Sequence, residues 1–155
     1  MTGPQGGWLR ALRGYLIIIA GGNLVWETAH LPLYTIWRTG SWRENAFAVV
    51  HCTGGDLLIA TASLVLALII AGHSAWPERG FGIVAALAIV FGLAYTTFSE
   101  WLNIILRKSW AYSELMPVVK FAGFELGLSP VAQWIIVPLL AFAWVKRTSS
   151  GPSTS

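Results

Sequence analysis

The sequence is poor in charge and in cysteine. Charged residues make up 11% of its 155 residues, against about 25% in typical soluble domains. It has one cysteine, Cys52, which excludes an internal disulfide and a Cys-x-x-Cys redox or zinc motif. Because Cys52 lies in an apolar run, we interpret it as a small core residue. The sequence also lacks a glycine-rich nucleotide loop and a Ser-His-Asp set with interpretable spacing.

Apolar residues take the place of the missing charge. Hydrophobic residues make up 55% of the chain, and nine residues are Trp. A soluble domain of this length cannot bury that much apolar surface, whereas a bilayer covers such surface on the outside of the protein. Trp also collects at membrane interfaces. The composition therefore predicts an integral membrane protein with the lipid bilayer as its main partner.

The net charge of +3 does not indicate a nucleic-acid partner, because the basic residues stand singly or in pairs beside apolar runs. In a four-span topology five lie on the side of the termini and five on the other: Arg10, Arg13, Arg79, Lys146 and Arg147 against Arg38, Arg43, Arg107, Lys108 and Lys120. The positive-inside rule therefore gives a tie. Since Lys120 lies in a long loop, we expect cytoplasmic termini.

Four apolar segments are candidate membrane spans, at about residues 14–37, 45–71, 80–106 and 130–145. A spanning helix needs about 20 residues, so the first three are long enough and the fourth is short. The sequence predicts an all-α fold, an integral membrane four-helix bundle over residues 1–147, with a disordered tail at 148–155. Apolar residues continue past Gly21 and Gly22, which favours a retained first helix over a cleaved signal peptide.

The connections between the predicted helices differ in length. Residues 38–44 are few and charged, so the first two helices are expected to form an antiparallel hairpin. Residues 107–129 between the third and fourth helices are many and partly amphipathic. We predict that they form an interfacial segment or fold back over the helix ends. Pro32 is expected to kink the first helix, because proline removes a backbone donor.

Polar residues recur at helical spacing in two of the apolar segments. The sets are Asn23, Glu27, His30 and Tyr34 in the first segment, and Thr96, Glu100, Asn103 and Arg107 in the third. Steps of four, three and four residues place each set on one helix face. A charge at the bilayer centre costs at least about 2.5–3.5 kcal/mol. These residues are therefore candidates for function.

The expected depths bring these residues together with polar residues of the second segment. Glu27 precedes Trp37 by ten residues and Asp56 follows Asn45 by eleven, about 15 Å and 16 Å at 1.5 Å per residue. The predicted layer contains Glu27, His30, His51, Asp56 and Glu100, with Asn23, Tyr34, Asn103 and Gln133 around it. We interpret this layer as a one-sided buried polar pocket.

Metal binding is one function that this layer predicts. Glu27 and His30 form the Glu-x-x-His pair of carboxylate-bridged metal bundles. His51, Asp56 and Glu100 would complete a shell of nitrogen and oxygen ligands for zinc, iron or manganese. Haem between His30 and His51 is a weaker alternative, because the neighbouring acids would crowd an apolar macrocycle.

Three further interpretations need no metal. An acid beside a histidine can perform acid–base chemistry on a small lipid-soluble ligand, which would make the chain an enzyme or a binding protein. Buried acids can also handle protons or ions, although polar residues towards the other membrane face are few. Alternatively, the groups only pair helices in a structural or assembly subunit, alone or as an oligomer. The sequence leaves these alternatives open.

Three stretches of the sequence resemble small uncharacterised bacterial inner-membrane proteins. They are residues 26–34 (WETAHLPLY), 51–56 (HCTGGD) and 99–103 (SEWLN), and the resemblance extends over most of the first three predicted helices. It implies a four-helix, multi-pass protein of the bacterial inner membrane. It carries no activity with it.

Overall fold

The computed structural model describes residues 4–149, with side chains from Gly7 onward. Within this part the chain forms α1 (Pro4–His30), α2 (Ile36–Thr39), α3 (Trp42–Ala71), α4 (Phe81–Trp101), β1 (Val118–Phe121), β2 (Phe124–Gly127) and α5 (Leu128–Ser149). A 3-10 turn, Leu31–Leu33, follows α1, and a π-helical turn, Leu102–Leu106, follows α4.

Four of these segments are long and apolar enough to cross a membrane. They are Gly7–Leu33, Trp42–Ala71, Phe81–Leu106 and Leu128–Ser149. Large apolar side chains on them, such as Val25, Leu58 and Ile69, are exposed, which suits helices whose outer faces contact lipid. The prediction of an all-α membrane bundle is confirmed.

The helices pack in a ring in which α1 and α4 each contact both α3 and α5. The centre of the bundle is apolar, with Tyr15, Ile19, Leu64, Val84 and Val145 fully buried. Two glycines permit close packing on α5. A Cβ atom at Gly14 would overlap the ring of Trp144, and one at Gly92 would overlap that of Trp134.

The ends of α1 and α4 and the starts of α3 and α5 lie on one side of the bundle, named here the hairpin side because the β1–β2 hairpin is there. Sequence signals set these limits. The α-helical part of α1 ends two residues before Pro32, where proline restricts the preceding residue. Ser41 and Glu44 form a capping box that starts α3.

The β1–β2 hairpin was not predicted. β1 and β2 pair antiparallel, with Phe121 opposite Phe124, and both turn residues, Ala122 and Gly123, have positive φ angles. Two such residues suit the twist of a two-residue hairpin turn. The predicted interfacial segment therefore contains β structure, and all four residues of β1 are exposed. A hydrogen bond of 2.8 Å from Leu128 N to Pro117 O joins the hairpin base to α5.

The helix limits differ from prediction at both ends of the chain. α1 starts at Pro4, earlier than the predicted residue 14, and α5 extends over Leu128–Ser149 rather than 130–145. α5 also includes Thr148 and Ser149, the first two residues of the predicted disordered tail. The rest of that tail lies outside the described residues.

Candidate buried polar site

A group of polar side chains lies between the four long helices near the hairpin side. Five of its members are buried and four are half-buried. We name this group the polar cluster. Its buried members are Asn23, Glu27, His30, Glu100 and Gln133, and its half-buried members are Tyr34, Asp56, Tyr112 and Ser129. Asn103 is buried at the edge of the cluster. Two surface grooves, of about 410 and 320 Å³, lie elsewhere, beside Leu16 and Phe98.

α1 contributes three consecutive members of the cluster at helical spacing. His30 Nε2 lies 3.1 Å from Glu27 Oε2, so the predicted pair is formed. Asn23 Nδ2 donates to Ile19 O at 2.9 Å, which turns the Asn23 carbonyl oxygen towards the bundle interior. Three residues of the stripe predicted on the first helix are therefore buried along α1, whereas Tyr34 lies beyond the end of α1.

Gln133 of α5 joins three helices through one atom. Its Nε2 lies 2.9 Å from each of three oxygens, Asn23 Oδ1, Glu27 Oε1 and Asp56 Oδ2. Two acidic residues from different helices thus meet at one amide nitrogen. The expected approach of Glu27 and Asp56 is present, and Gln133 is its centre rather than its edge.

Ser129 was missed by the sequence analysis. Its Oγ lies 3.0 Å from His30 Nδ1 and accepts a hydrogen bond of 3.2 Å from Trp26 Nε1. Ser129, His30 and Glu27 therefore form a continuous line of hydrogen bonds. His30 and Ser129 are 99 positions apart, a separation that gives no local spacing signal, so only the three-dimensional packing of α5 on α1 reveals the contact.

Glu100 is covered by a tyrosine from the connection before the hairpin. Tyr112 Oη donates to Glu100 Oε2 at 2.5 Å and accepts a hydrogen bond of 2.9 Å from Gly127 N. Tyr34 lies between the two parts of the cluster, with ring centroids 5.3 Å from His30 and 5.6 Å from Tyr112. Backbone bridging between Tyr34 and Tyr112 fixes their relative positions.

Both tyrosines remain in their neutral, donating form to high pH. Burial, and next the negative charge of Glu100, raise the pKa of Tyr112 above the ordinary tyrosine value. The same two causes raise the pKa of Tyr34 well above its usual range. At neutral pH these phenols therefore supply hydrogen-bond donors where the cluster meets the loops.

Two predicted residues lie apart from the acid–imidazole contacts. His51 is exposed and stacks on Phe47 at 5.3 Å. The expected place of His51 in the layer is wrong because residues five apart on a helix differ by about 140° in direction, and Asp56 takes the inward position. Asn103 is buried, but its amide donates to Ser99 of its own helix, at 2.9 Å to the carbonyl oxygen.

Positive charge is absent from this part of the molecule. All ten Lys and Arg residues lie within the described chain, and each of them is exposed. The partners of the three cluster acids are the Gln133 amide, the His30 imidazole and the Tyr112 phenol. The acids therefore meet no fixed cation that would balance their charge.

Within residues 4–149, no three His, Cys, Asp or Glu side chains lie close enough together to hold a metal ion. The acid and imidazole groups instead bond to one another and to amide or hydroxyl groups.

Comparisons of the chain with protein-family models, curated proteins and solved structures find no match. The chemistry of the polar cluster is therefore the basis for assigning a function.

Proposed function

We propose that this membrane protein uses the polar cluster as an acid–base centre for a small lipid-soluble ligand reached from the hairpin side. The observation that carries this proposal is the position of Gln133 Nε2, which is 2.9 Å from three oxygen acceptors. An amide nitrogen has two hydrogens. The two hydrogens serve two of the three oxygens, so the third oxygen needs a hydrogen from another group.

That additional proton belongs between the two carboxyl groups. The Asn23 oxygen is an amide acceptor held in place by its own bond to Ile19, so the Asn23 side chain does not supply it. Glu27 Oε1 and Asp56 Oδ2 both lie 2.9 Å from Gln133 Nε2, so the two carboxyl groups are neighbours. A proton shared by these acids gives the remaining oxygen a hydrogen bond. It also removes the repulsion between two neighbouring negative charges. The pair is thus a proton donor and acceptor in a water-poor interior.

The charge balance of the cluster supports the same conclusion. Glu27, Asp56 and Glu100 lie together without a Lys or Arg partner, and His30 is the only basic side chain bonded to them within the described residues. Isolated carboxylates are costly in a low-dielectric interior. The group therefore holds protons, which it can give to or take from a ligand.

A purely structural role explains these residues less well. Polar bonds between membrane helices contribute on average about 0.6 kcal/mol, which is small beside the cost of removing acid and imidazole groups from water. Apolar packing would stabilise the bundle at lower cost. Three acids and an imidazole at one level are better explained by chemistry than by helix pairing.

Access from the hairpin side follows from the position of the cluster. Glu27 and His30 lie in the last turns before Leu33, and Gln133 lies five residues after α5 begins, which is about 8 Å along the helix. Towards the other side the fully buried residues of the bundle are mostly apolar, such as Ile19, Leu64 and Val145. This arrangement favours a one-sided site over a proton path through the bundle.

Infrared spectroscopy of the protein in lipid nanodiscs tests the shared proton. We expect a carboxylic-acid C=O band at neutral pH that shifts in heavy water and disappears in Glu27→Gln and in Asp56→Asn. Glu78→Gln is the control, because Glu78 is exposed in the connection between α3 and α4. An absent acid band in the wild type, or a band that survives both cluster variants, would contradict the proposal.

Elemental analysis of the same sample separates this proposal from metal binding. We expect no divalent ion at a near-stoichiometric level, because His30 and Glu27 are engaged with each other. If the wild type instead contains a stoichiometric ion that is absent from Glu27→Gln, that ion, and not a shared proton, neutralises the acids. That result would overturn the acid–base proposal in favour of a metal site.

A further inference from the structure

Ser129 has the surroundings of an activated hydroxyl group. Its Oγ lies 3.0 Å from His30 Nδ1, and the other ring nitrogen of His30 lies 3.1 Å from Glu27. We propose that Ser129 is a nucleophile for carboxylic esters, with His30 as its base and Glu27 as the residue that positions His30. This inference rests on the acid–base centre proposed above and names its substrate class.

The hydrogen bonds around Ser129 allow one consistent direction of donation. Trp26 Nε1 can only donate, so Ser129 Oγ accepts that bond. The Ser129 hydrogen then remains available for His30 Nδ1. Glu27 Oε2 accepts from His30 Nε2, which selects the tautomer with an unprotonated Nδ1. A base held in the correct tautomer by an acid is the arrangement that activates a serine.

The position of Ser129 along α5 identifies the type of ester. Ser129 is the second residue of the fourth span, so it lies about 1.5 Å along the helix from its start and therefore near the membrane interface. The ester groups of lipids lie at this level, between the head groups and the hydrocarbon. Ser129 is half-buried rather than enclosed. An amphiphile with an ester carbonyl at the interface fits this position.

The start of a helix also favours the charge that such a reaction produces. The N-terminal end of a helix carries a partial positive charge, although in α5 Leu128 N already donates to Pro117 O and Pro130 has no N–H group. Ser129 lies in this first turn of α5, a helix of 22 residues. A negative charge that develops on a carbonyl oxygen beside Ser129 is stabilised there.

The reaction needs only water as a second substrate. Ser129 Oγ bonds to the ester carbonyl carbon while its proton moves to His30 Nδ1. The tetrahedral intermediate then breaks its bond to the alcohol oxygen, and the alcohol leaves with that proton. Water attacks the acyl carbon and gives one proton to His30 Nδ1. Ser129 Oγ leaves, recovers this proton, and a carboxylic acid is released.

An alkyl fluorophosphonate probe tests the nucleophile directly, because it forms an Oγ–P bond and releases fluoride. The full chain in nanodiscs is treated with the probe, and the modified peptide is located by mass spectrometry. We expect one adduct, on Ser129. In His30→Gln the rate constant of modification should fall by about 100-fold or more, as for loss of a general base. Ser113→Ala is the control, since Ser113 bonds to Pro32 O at 3.0 Å.

Glu27→Gln distinguishes positioning of His30 from a general effect on folding. We expect a lower maximal modification rate, kinact, with an unchanged half-saturating probe concentration, KI, because Glu27 acts through His30 and does not touch the probe. A helix-packing role would leave kinact unchanged in every molecule that remains folded. An equal kinact in wild type and Glu27→Gln would therefore remove Glu27 from the proposal.

Mapping the adduct in the wild type makes the test independent of variant folding. An adduct on another residue, or no adduct, would overturn the assignment of Ser129. The two proposals fail separately. No labelling together with a present carboxylic-acid band refutes the nucleophile alone, whereas an absent acid band in the wild type refutes the acid–base centre.

Discussion

Replacing Gln133 by Leu tests the centre of the polar cluster. The change keeps the side-chain size close to that of glutamine but removes both N–H donors, which serve three acceptors on α1 and α3. Two hydrogen bonds are lost. Bonds between membrane helices contribute about 0.6 kcal/mol on average and up to about 1.7 kcal/mol. The free energy of unfolding should therefore fall by about 1–3 kcal/mol.

The assay is reversible unfolding in mixed detergent micelles, followed by far-UV circular dichroism. Asn103→Leu is the matched control, because Asn103 is a buried amide whose bonds stay within its own helix, to Ser99. We expect a smaller loss of stability in this control. If Gln133→Leu is as stable as the wild type, or no less stable than Asn103→Leu, Gln133 does not join the helices in the way that its three contacts imply.

Two other changes test the parts of the structure that surround the cluster. In Tyr112→Phe the Gly127 N–H loses its acceptor and the Glu100 carboxyl loses its donor. Leaving the Glu100 carboxyl buried without this donor should lower the free energy of unfolding by about 1–3 kcal/mol. Amide hydrogen exchange should become faster at residues 118–127 and remain unchanged in α1. In Gly92→Ala the new methyl group overlaps the ring of Trp134, and overpacking should destabilise the bundle by about 1–3 kcal/mol. Gly82→Ala is its control, because nothing lies within 4 Å of that position, and equal melting temperatures for the two alanine variants would show that α4 does not pack closely on α5.

The sequence contained enough information for the spans and for one face of α1. Apolar length alone predicts a membrane helix, and the spacing of Asn23, Glu27 and His30 puts them on one face in any regular helix. The hairpin was harder to predict, because residues 118–127 are few and their strands are four residues long. Apolar runs this short do not distinguish a strand from a helix or an interfacial segment.

His51 and Ser129 show what depth estimates miss. Depth placed His51 beside His30, yet the direction of a helical side chain also depends on how the helix is rotated about its axis. Gly54 and Gly55 gave no reason to choose between a rotation with His51 inside and one with Asp56 inside. The structure has Asp56 inward and His51 exposed beside Phe47. Only packing against neighbouring helices fixes that rotation.

One residue, Glu27, links the acidic pair to the serine of the site. Glu27 uses one oxygen for His30 and the other for Gln133. A proton shared with Asp56, as proposed above, reduces the negative charge that Glu27 presents to His30. Asp56 is therefore linked through Glu27 to the proposed Ser129–His30 pair, although the Asp56 and Ser129 side chains enter the site from different helices.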